Sequence, residues 1–165
     1  MRFLGIDPGS RHCGWGIVDR DGARLTAVAW GRLSPLPEQP LAARLAEIAA
    51  GLGRLIDQHG PDRAAVECVF HGPSARALIV LAEARGAILA ELARHGLEVS
   101  ELAPAEVKSA VTGSGRAGKD QVARMVSLEL SLPPGRIAAD ATDALAVALA
   151  RAHREGLESR LPRRP

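Results

Sequence analysis

Cysteine is scarce in this 165-residue chain. Only Cys13 and Cys68 are present, which leaves neither a disulfide framework nor a zinc-ligand spacing. Both stand in strand-like runs and are expected to be small buried hydrophobes, each a few residues from an acid. No segment approaches the roughly 18–20 uncharged apolar residues that span a membrane. The N-terminus has no basic region followed by a long apolar stretch, so no secretory leader is expected and a reduced, cytoplasmic setting is the default. Net charge is only +2, which announces no broad nucleic-acid-binding field. Lysine is almost missing: nineteen arginines stand against two lysines, Lys108 and Lys119, close together in sequence. Tyrosine is absent, and there are two phenylalanines and two tryptophans. Internal repeats are absent too.

What is present fits one folded domain. The apolar share is 47% and the charged share 24%, ordinary for a chain that buries a sizeable core. Residues 1–155 read as that domain, and 156–165 as a basic, flexible tail ending PRRP. The tail is either a weak polyanion contact or a solubilising terminus.

Hydrophobic periodicity supplies the order of elements. Residues 2–7 and 13–19 read as strands, and a third covers 24–33 after the hairpin signal Asp21-Gly22. LSPLPEQP then breaks structure, and from Leu41 the apolar spacing is helical until His59-Gly60-Pro61. A short strand over 63–70, a helix over 74–95 and a strand over 97–102 follow. A short helix begins after Pro104, and two more are expected over 119–131 and 138–154. Three antiparallel strands followed by alternating helices and strands argue for an α/β domain with a mixed sheet flanked by helices.

Four acids stand among apolar neighbours: Asp7, Glu67, Asp140 and Asp143. Asp7 ends the first strand at the Pro8-Gly9 turn, where its carboxylate is expected to be open to solvent. Glu67 interrupts the run AAVECVF, an unusual place for an unpaired acid. Asp140 and Asp143 are three apart on a helix and so share a face. Singly, Asp140 could be a helix-cap acid and Asp143 a solvated helix position. Together, four converging carboxylates need a strong counter-charge, which hard divalent cations with oxygen ligands provide. Paired ions can activate water and stabilise the leaving oxygen in phosphodiester cleavage.

Residues 113–119 match G-x-x-x-x-G-K, but the next position is Asp120 instead of Ser or Thr, and the preceding segment reads as helix. A glycine loop carrying Arg116 and Lys119 fits a nucleic-acid backbone better than a nucleotide, or serves as a plain connector. Phe70, three residues after Glu67, could stack on an unpaired base or cap the core. Asp7-Pro8-Gly9 also begins like the phosphate-binding turn of actin and sugar kinases, which require a second such half.

The segments GIDPGSRHCGWGIVD, VECVF, EARG, PAEVKSAVTGSGRAGKDQV and DATDALAVALA, in this order, resemble the RuvC-type Holliday junction resolvases of the ribonuclease-H-like superfamily. The resemblance implies a mixed five-stranded sheet in a ribonuclease-H-like fold. It implies Mg²⁺ or Mn²⁺, two ions per site, held by Asp7, Glu67, Asp140 and Asp143. It places Phe70 where the family stacks an aromatic on bases, and Lys108 and Lys119 close to the cleaved strand. The implied reaction is symmetric nicking of four-way junction DNA by a homodimer, leaving 5′-phosphate and 3′-hydroxyl ends. The implied partner is a branch-migration complex of the RuvA and RuvB type. A junction-binding protein without catalysis is the alternative. The chain departs from the family at HGPSARALIVLAEARG, where Pro73, Ser74 and Val80 replace polar or basic positions and Arg76 restores some positive charge.

Overall fold

The computed structural model describes residues 1–68, 74–133 and 137–159. Five strands are β1 (Arg2–Asp7), β2 (Cys13–Asp21), β3 (Arg24–Leu33), β4 (Arg63–Glu67) and β5 (Glu98–Leu102). The five helices among the described residues are α1 (Leu41–His59), α2 (Ala75–Arg94), α3 (Pro104–Thr112), α4 (Lys119–Glu129) and α5 (Ala139–Glu158). One mixed sheet carries the strands in the order β3-β2-β1-β4-β5. β1, β2 and β3 pair antiparallel, while β4 runs parallel to both β1 and β5. The expected α/β architecture, with its first three strands antiparallel in a mixed sheet, is therefore present.

Strand alternation divides the interior into two layers. Leu4 and Ile6 of β1, Ile17 of β2 and Val66 of β4 point to one face, where Ile48 and Leu52 of α1 and Ile88 and Leu92 of α2 cover them. Val18 and Ala65 point to the other face, against Leu145 and Leu149 of α5 and the apolar sides of α3 and α4. Helix α5 lies unusually close to the sheet because small residues meet there. A Cβ on Gly5 would strike the backbone of Ala144 and Ala148, and one on Gly14 would strike the Asp140 carbonyl. Both glycines are required by close approach of the helix.

Several boundaries differ from the sequence reading, β2 among them, which continues to Asp21. β4 stops at Glu67 because its partner β5 ends at Leu102, just before Pro104; one further bond, Cys68 N–H to the Leu102 carbonyl at 2.8 Å, closes the ladder. Helix α4 stops at Glu129, and α5 continues to Glu158, three residues into the segment expected to be tail. Cys13 is buried as expected, but Cys68, just past the end of β4, is only half-buried.

Candidate active site

Asp7 and Glu67 are the last residues of neighbouring parallel strands, and Ile6 sits opposite Val66 in their register. One step further along, the two carboxylates stand side by side, with about 4.8 Å between the strand backbones. Asp7 shares the face of Gly5, and Glu67 that of Ala65, so both point to the side covered by α5. Asp140 falls in the first turn of α5 and Asp143 one turn on. The negative Asp140 is favoured there by the positive end of the helix dipole. The absent side chain at Gly14 lets that turn of backbone descend onto β2 and deliver the aspartates to the strand ends.

The charges gathered there oppose one another. Burial first, and then the neighbouring carboxylates of Glu67, Asp143 and Asp140, together raise the Asp7 pKa to about 7. Glu67 is also raised, first by burial and then by Asp143. Asp7 is thus half-buried on a central strand rather than open to solvent, which is why its charge is so disfavoured. Cys13, on β2 near Asp7, is pushed up to about 12 by burial and by the Asp7 charge, and stays a neutral thiol.

Two cations offset part of this repulsion. Lys119 Nζ lies 3.4 Å from Asp143 Oδ2, and Arg32 Nη1 lies 3.4 Å from Asp140 Oδ2. The Asp143 charge in turn raises the Lys119 pKa, fixing its positive charge. Lys108 of α3 joins Lys119, Glu67 and Asp143 around a cleft of about 170 Å³. Among the described residues, no three acid, histidine or cysteine side chains draw together tightly enough to hold a metal ion. The donor chemistry nevertheless fits a hard cation: all four converging groups are carboxylates, and two of them are raised above the usual carboxylate range.

The remaining candidates are spread around this centre. Arg76, the second residue of α2, lines a separate cleft beside Asp140. Arg116 lies exposed on the α3–α4 connection, and its guanidinium makes no hydrogen bond or ion pair among the described residues. That connection follows helix α3, so the G-x-x-x-x-G-K match lacks the preceding strand of a nucleotide-binding loop. Phe70 lies outside the described residues. Nothing in the sequence singles out Arg32; the β2–β3 register sets it opposite Gly14 and hence under Asp140.

A family profile described as crossover junction endodeoxyribonuclease RuvC matches residues 3–151. The chain belongs to the RuvC family. A RuvC from Anaeromyxobacter sp. is 52% identical over 149 residues, covering 90% of this chain and 71% of the relative. Another, from Maricaulis maris, is 45% identical over 153 residues, covering 93% and 91%. The structure of Thermus thermophilus RuvC in complex with a Holliday junction substrate superimposes with a TM-score of 0.90 at 31% identity, covering 96% of this chain and 97% of that one. The mixed five-stranded sheet flanked by helices is the fold shared with this RuvC, as the sequence resemblance implied.

Proposed function

We propose that the chain resolves four-way DNA junctions by metal-dependent hydrolysis of two symmetric phosphodiester bonds, with Asp7, Glu67, Asp140 and Asp143 as the ion-holding set. The observation that carries this reading is the meeting of four carboxylates at one end of the sheet, with Asp7 raised to about 7. A carboxylate cluster held this far from its preferred ionisation is stabilised by a divalent cation. Mg²⁺ or Mn²⁺ ions, two per site, would activate the attacking water and stabilise the departing 3′ oxygen.

The protein's own groups do the positioning. Lys119 and Lys108 flank the Glu67–Asp143 side of the centre and hold the scissile phosphate by charge. Lys119, tied to Asp143, also draws the Asp7 pKa downward, which favours its metal-binding form. Arg32 fixes Asp140 at the opposite side. Water adds to phosphorus as the bond to the 3′ oxygen breaks, leaving a 5′-phosphate and a 3′-hydroxyl. A two-fold junction calls for two such sites, which a homodimer supplies. Phe70 stacks on a base beside the cut, Arg76 and Arg116 contact the DNA backbone, and a branch-migration complex of the RuvA and RuvB type presents the junction. The domain runs through α5 to Glu158, and the arginine-rich segment after it is a basic tail.

Incubating the purified protein with end-labelled four-way and linear duplex DNA, with and without Mg²⁺, tests this reading. Paired nicks in the junction alone, dependent on the metal and lost in Glu67→Gln, are expected. Tight junction binding without cutting in either Mg²⁺ or Mn²⁺ would assign a binding protein instead.

A further inference from the structure

A second cleft, of about 700 Å³, reaches Asp140 and is lined by neither of the two lysines. Its lining includes Ser10, Arg11, His12, Arg44, Arg76 and Asp140. Asp140 is the one acid among its described lining residues, so the walls are strongly cationic. Arg11 and Arg76 are exposed, and neither side chain makes an ion pair among the described residues. Arg44 donates from Nη1 to the Ser10 carbonyl at 3.2 Å, while its buried Nε has no partner among the described residues.

The positions of two of these arginines run against local helix energetics. Arg44 is the fourth residue of α1 and Arg76 the second of α2, at helix ends whose dipoles repel cations. Neither helix has an acid in its first turn. The other three helices follow the favourable rule, with Glu106, Asp120 and Asp140 in their first turns. The two exceptions open onto the same cleft. Helix ends and arginines there aim positive potential at one place, and an anion would relieve both.

We propose that this cleft seats the sugar–phosphate backbone of a second, uncut DNA strand, so that the substrate crosses the acids between an arginine wall and a lysine wall. The proposal rests on the junction-cleaving reading above. The lysine cleft includes Glu67 and Asp143 and takes the strand to be cut; the arginine cleft shares only Asp140 with the acids, so a strand lying in it passes by. The forked guanidinium suits paired contacts to phosphate oxygens, whereas lysine acts as a point charge. The side chains face backbone rather than bases, so the contact is independent of sequence.

Fluorescence anisotropy of a labelled four-way junction, in EDTA and across a salt series, tests the assignment. The variant Arg11→Gln/Arg44→Gln/Arg76→Gln should bind about 10–100-fold more weakly at 0.1 M salt. Its slope of log affinity against log salt should be shallower by about 2–3. Arg11→Gln/Arg76→Gln leaves the Arg44–Ser10 bond in place and guards against misfolding; it should show about two-thirds of the slope change. Arg11→Lys/Arg44→Lys/Arg76→Lys should recover the slope. Unchanged affinity and slope in both glutamine variants would overturn the proposal, while Mg²⁺-dependent cutting by the parent protein would leave the cleavage reading standing. A parent protein that binds no junction would overturn both.

Discussion

Strand β1 begins and ends on opposite electrostatic plans. At its start, Arg2 donates two parallel hydrogen bonds to Asp19, at 2.7 and 2.8 Å, and a third to the His59 carbonyl at 2.5 Å. The pairing holds the Asp19 carboxyl below the usual carboxylate range. The same end of the sheet gathers Arg63 with Glu98 at 2.9 Å, and buried Arg151 with Glu155 at 2.9 Å. At the other end Asp7 meets three further acids and is raised to about 7. One end cancels its charges inside the chain; the other holds them ready for something the chain does not contain. Structural and functional charge are thus separated along a single six-residue strand.

The largest break in this contrast is Asp7→Asn. Cleavage should fall by about 10³-fold, or ~4 kcal/mol of barrier, measured as initial rate on a labelled junction. The metal-free fold should gain on the order of 1–3 kcal/mol, because a disfavoured charge is removed. Removing charge from the paired end should act in the reverse sense. Arg151→Ala leaves Glu155 with only its longer 3.5 Å contact to Arg63 and should cost about 2–3 kcal/mol in urea denaturation, without changing the rate per folded molecule.

The pH dependence sharpens the comparison. The folded pKa of Asp7 lies above its ordinary value, so the metal-free fold carries no ionisation penalty at low pH. The penalty grows as pH rises from about 4 to about 7 and is complete above that. Metal-free stability should therefore drop by roughly 1–3 kcal/mol across this window, and Asp7→Asn should flatten the curve. Ion binding and cutting run the opposite way, weakening as pH falls below about 7 and Asp7 takes up a proton. Lys119→Met is the mildest change. It should slow cutting about tenfold and move the acid limb of the rate profile to higher pH, since Lys119 draws the Asp7 pKa down.

Much of this was legible in the sequence, for identifiable reasons. The hairpin of β1 and β2 declares itself through a proline–glycine turn and alternating apolar residues. Glu67 was conspicuous because an acid between apolar strand residues needs a partner. Asp140 and Asp143 followed from helical spacing. The closeness of α5 to the sheet was not legible, because it depends on glycines from two strands facing one helix. Arg32 and Arg44 looked like ordinary surface arginines until register and helix packing set them beside Asp140 and Ser10. The half-buried state of Asp7 depends in the same way on β1 lying at the centre of the sheet.

The central claim, that the acid end is completed by a divalent cation, is tested most directly by urea denaturation at pH 8 with and without Mg²⁺. Compared with Asp7→Asn, the parent chain should be stabilised more by the ion, following the mass-action dependence on its concentration. Equal stabilisation of both proteins, or none in either, would contradict the account.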